Sequence, residues 1–221
     1  MAGPRVLGLD EAGRGSVIGP LVVGGFCVDE GAAAGLRARG VRDSKLLSRA
    51  RRESVYAALD GIGTRHSVTL LPRRIDAWVA RGRLNELELR AFAEIAAEVR
   101  PDVAVVDACD PNAERFGRRL AALLGPGVRV IARHRADVTE PVVGAASIVA
   151  KVRRDRALDR LRARLGAGVG SGYPSDPVTR AFVDRTVLAG GPCPAWLRGS
   201  WAPVKRVKRR RSARTLDEFG P

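Results

Sequence analysis

Val6-Leu7-Gly8-Leu9-Asp10-Glu11-Ala12-Gly13-Arg14-Gly15 places two adjacent acids at the end of a short apolar run, directly before a glycine loop that holds an arginine. Residues 6–9 read as a buried strand. Gly13, Gly15 and the later Gly19 let the backbone come close to a ligand. Neighbouring carboxylates repel one another and resist burial, so such a pair is either solvated or neutralised by a cation. Two readings stand at this point. One is a strand that carries acids to a metal ion; the other is an acidic strand-to-loop corner with a surface arginine.

Further strands are read at residues 21–28, 66–71, 103–106 and 128–132, all short runs rich in apolar residues. Ser48 is placed to cap a helix over 49–59, with Gly61 just past its end. Asn85 followed by Glu88 resembles a capping box for a helix reaching Val99, stopped before Pro101. Residues 141–165 read as one long helix with Val142, Ala145, Ala146, Val149 and Val152 on an apolar face. Asp176-Pro177 starts another through Leu188, with an aspartate cap and proline at the first position. Three strands followed by alternating helix and strand predict an α/β layer with an antiparallel portion. Asp107 closes its strand as Asp10 closes the first. If those strands are parallel neighbours, both acids project at one carboxyl edge, where open α/β sheets hold ligands. Asp110 rivals Asp107, but Asp110-Pro111 reads as a turn.

Composition narrows the class. With 221 residues and 45% hydrophobic content, the chain can bury a sizeable core in one domain. No apolar run approaches the ~18 residues of a membrane helix, and the N-terminus lacks a secretory pattern. Cys27, Cys109 and Cys193 have no paired spacing, which fits a reducing cytoplasm, with Cys109 expected as a buried thiol. His66 and His134 have no metal-ligand spacing, so zinc hydrolysis is not indicated, and no phosphate-binding Gly-x-x-x-x-Gly-Lys loop is present. The formal charge is +15, and residues 205–214 hold seven of the cations, so the body alone keeps about +8. Such an excess favours a polyanionic partner. From Lys205 the chain reads as a mobile basic tail.

Four segments, in order, resemble the ribonuclease HII (type 2 ribonuclease H) family, in its archaeal branch. They are Asp10-Glu11-Ala12-Gly13-Arg14-Gly15-Ser16-Val17-Ile18-Gly19-Pro20, Val41-Arg42-Asp43-Ser44-Lys45-Leu46, residues 137–155 with Ala145-Ala146-Ser147-Ile148-Val149-Ala150-Lys151-Val152, and Gly170-Ser171-Gly172-Tyr173-Pro174-Ser175-Asp176-Pro177. The resemblance implies a ribonuclease H-like α/β fold, a mixed sheet flanked by helices with a helical C-terminal part. It sets the catalytic domain at 1–204 and the basic tail at 205–221. The activity implied is cleavage of the RNA strand of RNA–DNA hybrids and nicking 5′ to single ribonucleotides in duplex DNA, leaving 3′-hydroxyl and 5′-phosphate ends. Asp10, Glu11, Asp107 and Asp137 match the family's four acidic positions, expected to hold two Mg2+ or Mn2+ ions. Gly13, Arg14 and Gly15 match the loop that tracks the RNA–DNA junction. Tyr173 matches the junction-sensing tyrosine, and Lys45 and Lys151 match basic positions near the phosphates. The tail peptide, residues 213–220, resembles those that dock nucleases on the DNA sliding clamp, with Leu216 and Phe219 as anchors, although Ala213 and Gly220 depart from that pattern. The implied enzyme is a cytoplasmic monomer without a membrane partner. A non-catalytic basic nucleic-acid or clamp-binding module, or a fold-mate that acts on DNA, are the alternatives.

Overall fold

The strand expected at 6–9 runs further in both directions. In the computed structural model, which describes residues 3–41 and 44–218, β1 spans Arg5–Ala12. It pairs along its length with the antiparallel β2 (Leu21–Asp29), Asp10 opposite Gly24 and Glu11 opposite Val23. Both acids therefore belong to the strand itself. β3 (Thr64–Leu70) borders β2, while β4 (Val103–Asp107) runs parallel to β1, with Leu9 beside Val106. β5 (Arg129–Arg133) runs parallel to β4, giving the order β3-β2-β1-β4-β5. The mixed sheet and the parallel pairing that brings Asp10 and Asp107 to one edge are as expected.

The helices are α1 (Glu30–Ala33), α2 (Arg49–Ala58), α3 (Pro72–Val79), α4 (Leu84–Val99), α5 (Ala113–Leu124), α6 (Ala136–Thr139), α7 (Pro141–Leu165), α8 (Pro177–Leu188) and α9 (Ala202–Glu218). The bounds of α7 and α8 are those expected, and Ser48 and Asp176 do cap α2 and α8, accepting from Arg51 N at 3.2 Å and Val178 N at 2.9 Å. The expected capping box at Asn85 is not formed. Asn85 lies inside α4, and its amide donates to Asp110 Oδ2 at 3.0 Å. Cys109 is half-buried where a buried thiol was expected.

The chain packs as two compact units, a boundary the sequence reading does not draw: Met1–Ala12, Val22–Thr69 and Leu84–Arg154 in the first, and Gly13–Leu21, Leu70–Arg83 and Asp155–Pro221 in the second. In the first unit, α7 lies on the sheet with backbone against backbone. A Cβ on Gly8 would stand 2.2 Å from Val142 O, and one on Gly24 would stand 2.4 Å from Ala146 O. Gly25 faces the other side, where a Cβ would meet Ile95 of α4 at 2.7 Å. Phe92 of α4 then packs edge-on against Phe116 of α5, with ring centroids 6.0 Å apart. The core between α7 and the sheet includes Val6, Phe26, Val105, Val143 and Val149.

The second unit has its own apolar cluster, which includes Val17, Leu158, Val183, Leu197, Val204 and Val207. The chain from Lys205, read as a mobile basic tail, is helical through Glu218, with Val204 and Val207 buried at the start of α9. Of the expected clamp anchors, Phe219 and the side chain of Leu216 lie outside the described residues, as do Arg42 and Asp43 of the second motif.

Gly8→Ala should destabilise the fold by more than about 2 kcal/mol, because the added methyl meets a backbone carbonyl that cannot move alone. Gly31→Ala, where nothing lies within 4 Å of the new Cβ, is the control and should change stability by less than about 0.5 kcal/mol. Urea unfolding of both variants measures the difference.

Candidate active site

Asp10 leaves β1 on the side that faces α7, and Asp107 leaves the end of the parallel β4. Asp137 is supplied by the short α6, which follows β5. The three offer carboxylate oxygens that all lie within 4.8 Å of one another. Asp10 and Asp137 are buried and Asp107 half-buried. Backbone geometry steers them. Arg135 adopts the left-handed conformation with φ 59°, which turns the chain so that Ala136 N donates to Asp107 Oδ1 at 3.2 Å. Glu11 N donates to Asp10 Oδ1 at 2.7 Å.

Burial sets the electrostatics. It pushes the Asp10 carboxyl from 3.8 up to about 6, against the pull of the Lys151 charge and a hydrogen bond from Ser147, with the Asp107 charge adding to the rise. Asp107 is also raised, first by burial and then by the Asp137 charge, while the backbone N–H groups of Ala136 and Arg135 oppose the shift. Lys45 Nζ lies 3.2 Å from Asp137 Oδ2, but Asp137 Oδ1 is buried with no hydrogen-bond partner. A buried carboxylate oxygen left unpartnered beside two further carboxylates is a poor structural arrangement and a good hard-cation site. The residues present thus fit magnesium or manganese.

Not every expected residue joins this cluster. Glu11 is not among the three, since strand alternation sends its Cβ to the opposite face from that of Asp10. Lys151 Nζ donates to Ser147 Oγ at 2.7 Å. Asp110, the rival ligand, is held away by Asn85, Asn112 N and Arg115, and the Asn112 N–H leads in lowering its pKa. His66 meets Thr64 and Glu98, and His134 is exposed.

The remaining expected residues lie together in the second unit. Val17 N and Ile18 N donate to Gly172 O at 2.8 and 3.2 Å, which joins the Gly13–Arg14–Gly15 loop to the segment that carries Tyr173. Ser171 N donates to Asp176 Oδ2 at 2.6 Å, and this bond leads the causes that lower Asp176 to about 2. Arg198, fully buried, donates to Arg14 O at 2.8 Å and Gly19 O at 3.1 Å and lies over the Trp201 ring. Sequence reasoning passes over Arg198 and Arg135, which carry no local signal. It also passes over Ser147, whose signal was visible as a lone hydroxyl in an apolar run.

Comparison with known proteins points the same way. The family described as Ribonuclease HII matches residues 7–204. The chain is 42% identical over 203 residues to the ribonuclease HII of Methanocella arvoryzae, with 91% of each protein covered. Its fold is similar to that of the ribonuclease H2 from Pyrococcus horikoshii, with a TM-score of 0.85 and 37% identity over 94% of this chain and 99% of that one. It is also similar to ribonuclease HII in a PCNA complex from Archaeoglobus fulgidus, with a TM-score of 0.83 and 39% identity over 92% of this chain and 96% of that one. Among the described residues no helix is long and apolar enough to cross a membrane. A family match over nearly the whole chain, joined to three converging carboxylates, means that this chain belongs to the ribonuclease HII family of metal-dependent endoribonucleases.

Proposed function

We propose that the chain cuts the RNA strand of RNA–DNA hybrids and nicks 5′ to single ribonucleotides embedded in duplex DNA, leaving 3′-hydroxyl and 5′-phosphate ends. The observation that carries this reading is the convergence of Asp10, Asp107 and Asp137, with one buried oxygen of Asp137 unpartnered. Bound by these residues, a pair of magnesium or manganese ions supplies charge stabilisation for the attacking and leaving oxygens of a phosphodiester. Glu11, half-buried and next to Asp10, is the proposed fourth ligand. Lys45 and Lys151 draw the scissile phosphate toward the carboxylates. The Gly13–Arg14–Gly15 loop offers backbone N–H groups to the 2′-hydroxyl that marks the ribonucleotide. Tyr173 packs on the neighbouring deoxyribose, and Arg198 steadies the loop through the Arg14 carbonyl. The enzyme acts as a cytoplasmic monomer. A purely binding module would leave three acids, two of them buried, within reach of one another without use. The deciding assay compares a duplex that contains one ribonucleotide with an all-DNA duplex: cation-dependent nicking of the first alone is the expected result, and equal treatment of the two overturns the proposal.

Asp10→Asn should lower the nicking rate at least ~10²-fold. It should also stabilise the metal-free protein above pH 6. The folded state holds the Asp10 proton up to about pH 6 and the unfolded chain only to 3.8, so the buried charge burdens the fold at high pH and not at low pH. The gain, on the order of 2 kcal/mol at pH 8, should fade between pH 6 and pH 4. Denaturant unfolding at a series of pH values checks the sign.

Tyr173→Ala should harm cleavage at a single ribonucleotide more than cleavage of a long hybrid, which offers many registers in place of one junction. Parallel kcat/KM measurements on the two substrates test this, and an equal loss removes the junction-sensing role.

The peptide at 213–220 is proposed to dock on a sliding clamp, as the Archaeoglobus relative is seen with PCNA. Leu216→Ala combined with Phe219→Ala should abolish clamp binding in a titration while the cations of α9 keep duplex affinity intact.

A further inference from the structure

Ser147 stands on α7 with no solvent exposure, between the equally buried Ala145, Ala146, Ile148 and Val149. A hydroxyl in such surroundings depends on partners supplied by the fold. Ser147 has three. Lys151, one helical turn onward, donates from Nζ to Ser147 Oγ at 2.7 Å. Ser44 Oγ, also fully buried, lies 2.9 Å away. The third is the carboxylate of Asp10, which this hydroxyl faces and helps to keep ionised.

The directions of these bonds follow from what each group can give. An ammonium only donates, an ionised carboxylate only accepts, and a hydroxyl has one proton and two lone pairs. The Ser147 proton therefore goes to Asp10, and its lone pairs take Lys151 and Ser44, so that Ser44 is the donor in the serine pair. The hydrogen-bonding capacity of Ser147 is then fully used.

Ser44 immediately precedes Lys45, whose Nζ is 3.2 Å from Asp137 Oδ2. The same loop is braced by Arg52, whose Nη1 donates to Leu47 O at 2.7 Å. One buried hydroxyl thus links the end of β1, the next turn of α7 and the loop that delivers Lys45.

We propose that Ser147 is a positioning residue that aims the Asp10 carboxylate into the three-aspartate cluster and, through Ser44, sets Lys45 against Asp137. The inference rests on the reading of that cluster as a cation site. Mn2+ titrated calorimetrically into the full chain tests it without reference to activity. Ser147→Ala should weaken Mn2+ binding by about tenfold or more, the usual effect of removing a group that orients a metal ligand. Ser44→Ala, which keeps the bond to Asp10, should stay within about twofold of wild type in Mn2+ affinity yet lose kcat/KM on the one-ribonucleotide duplex. Adding Ser44→Ala to Lys45→Ala should bring no further loss, because Ser44 acts through Lys45. The proposal is overturned if Ser147→Ala, folded by thermal melt, binds Mn2+ as wild type does, or if the Ser44 and Lys45 losses simply add. The serine–lysine cycle decides the matter even where Ser147→Ala does not fold. If Asp10→Asn binds Mn2+ as tightly as wild type, the cation site itself is wrong and both readings fall together.

Discussion

Helix α7 meets strands β1 and β2 at Gly8 and Gly24, where carbonyl oxygens of the helix occupy the space that side chains would fill. Elsewhere a helix is kept off a sheet by interleaved side chains and retains some freedom to slide or roll. Here the carbonyls of Val142 and Ala146, one turn apart, seat against two glycines on neighbouring strands, and both the rotation and the axial position of the helix are fixed. The polar positions of α7 inherit that registration. Ser147 follows the seated Ala146, and Lys151 follows Ala150, which also abuts Gly24. Since Gly24 pairs with Asp10, the hydroxyl and the ammonium are brought to that carboxylate by the same contact that packs the core.

The acids gathered there oppose folding in the absence of a cation. Burial and mutual repulsion both disfavour the charged forms, and the raised Asp10 and Asp107 pKa values record that opposition. The protein offsets part of it with the N–H groups of Glu11 and Ala136 and with two lysines, one of which acts through Ser147. It does not offset all of it, and Asp137 Oδ1 is left without a donor. Stability is given up so that the oxygens stay aimed before any ligand arrives, which is how a rigid site favours a small, reluctantly dehydrated ion.

Much of this was legible in the chain. Proline and capping residues mark the starts of α7 and α8, and apolar runs ending in aspartate predict the parallel edge at β1 and β4. What escaped has identifiable causes. Asn85 looks like a cap because its type suits one, but its amide satisfies a buried Asp110 that only the tertiary fold brings near. Helix α5 is capped by Asn112, which accepts from Arg115 N at 2.8 Å, but its arginines mask the apolar spacing of Phe116 and Leu120 between them. In α9 the same dominance of charge hid Val204 and Val207. Arg135 and Arg198 are beyond local reading altogether, because a left-handed φ and a buried guanidinium are set by partners distant in sequence.

The helical state of α9 alters how its cations act. Lys205, Arg206, Lys208, Arg209, Arg210 and Arg211 fall within seven residues, which a helix compresses into about 9 Å at ~1.5 Å per residue. That is one positive charge for roughly every 1.5 Å of axis, close to the linear density of about one negative charge per ~1.7 Å along duplex DNA. A rod so densely charged gathers its own cloud of small anions, as the duplex gathers cations. Were such a helix to meet a duplex, each would shed part of its atmosphere, and free ions of both signs would be released from a segment only two turns long.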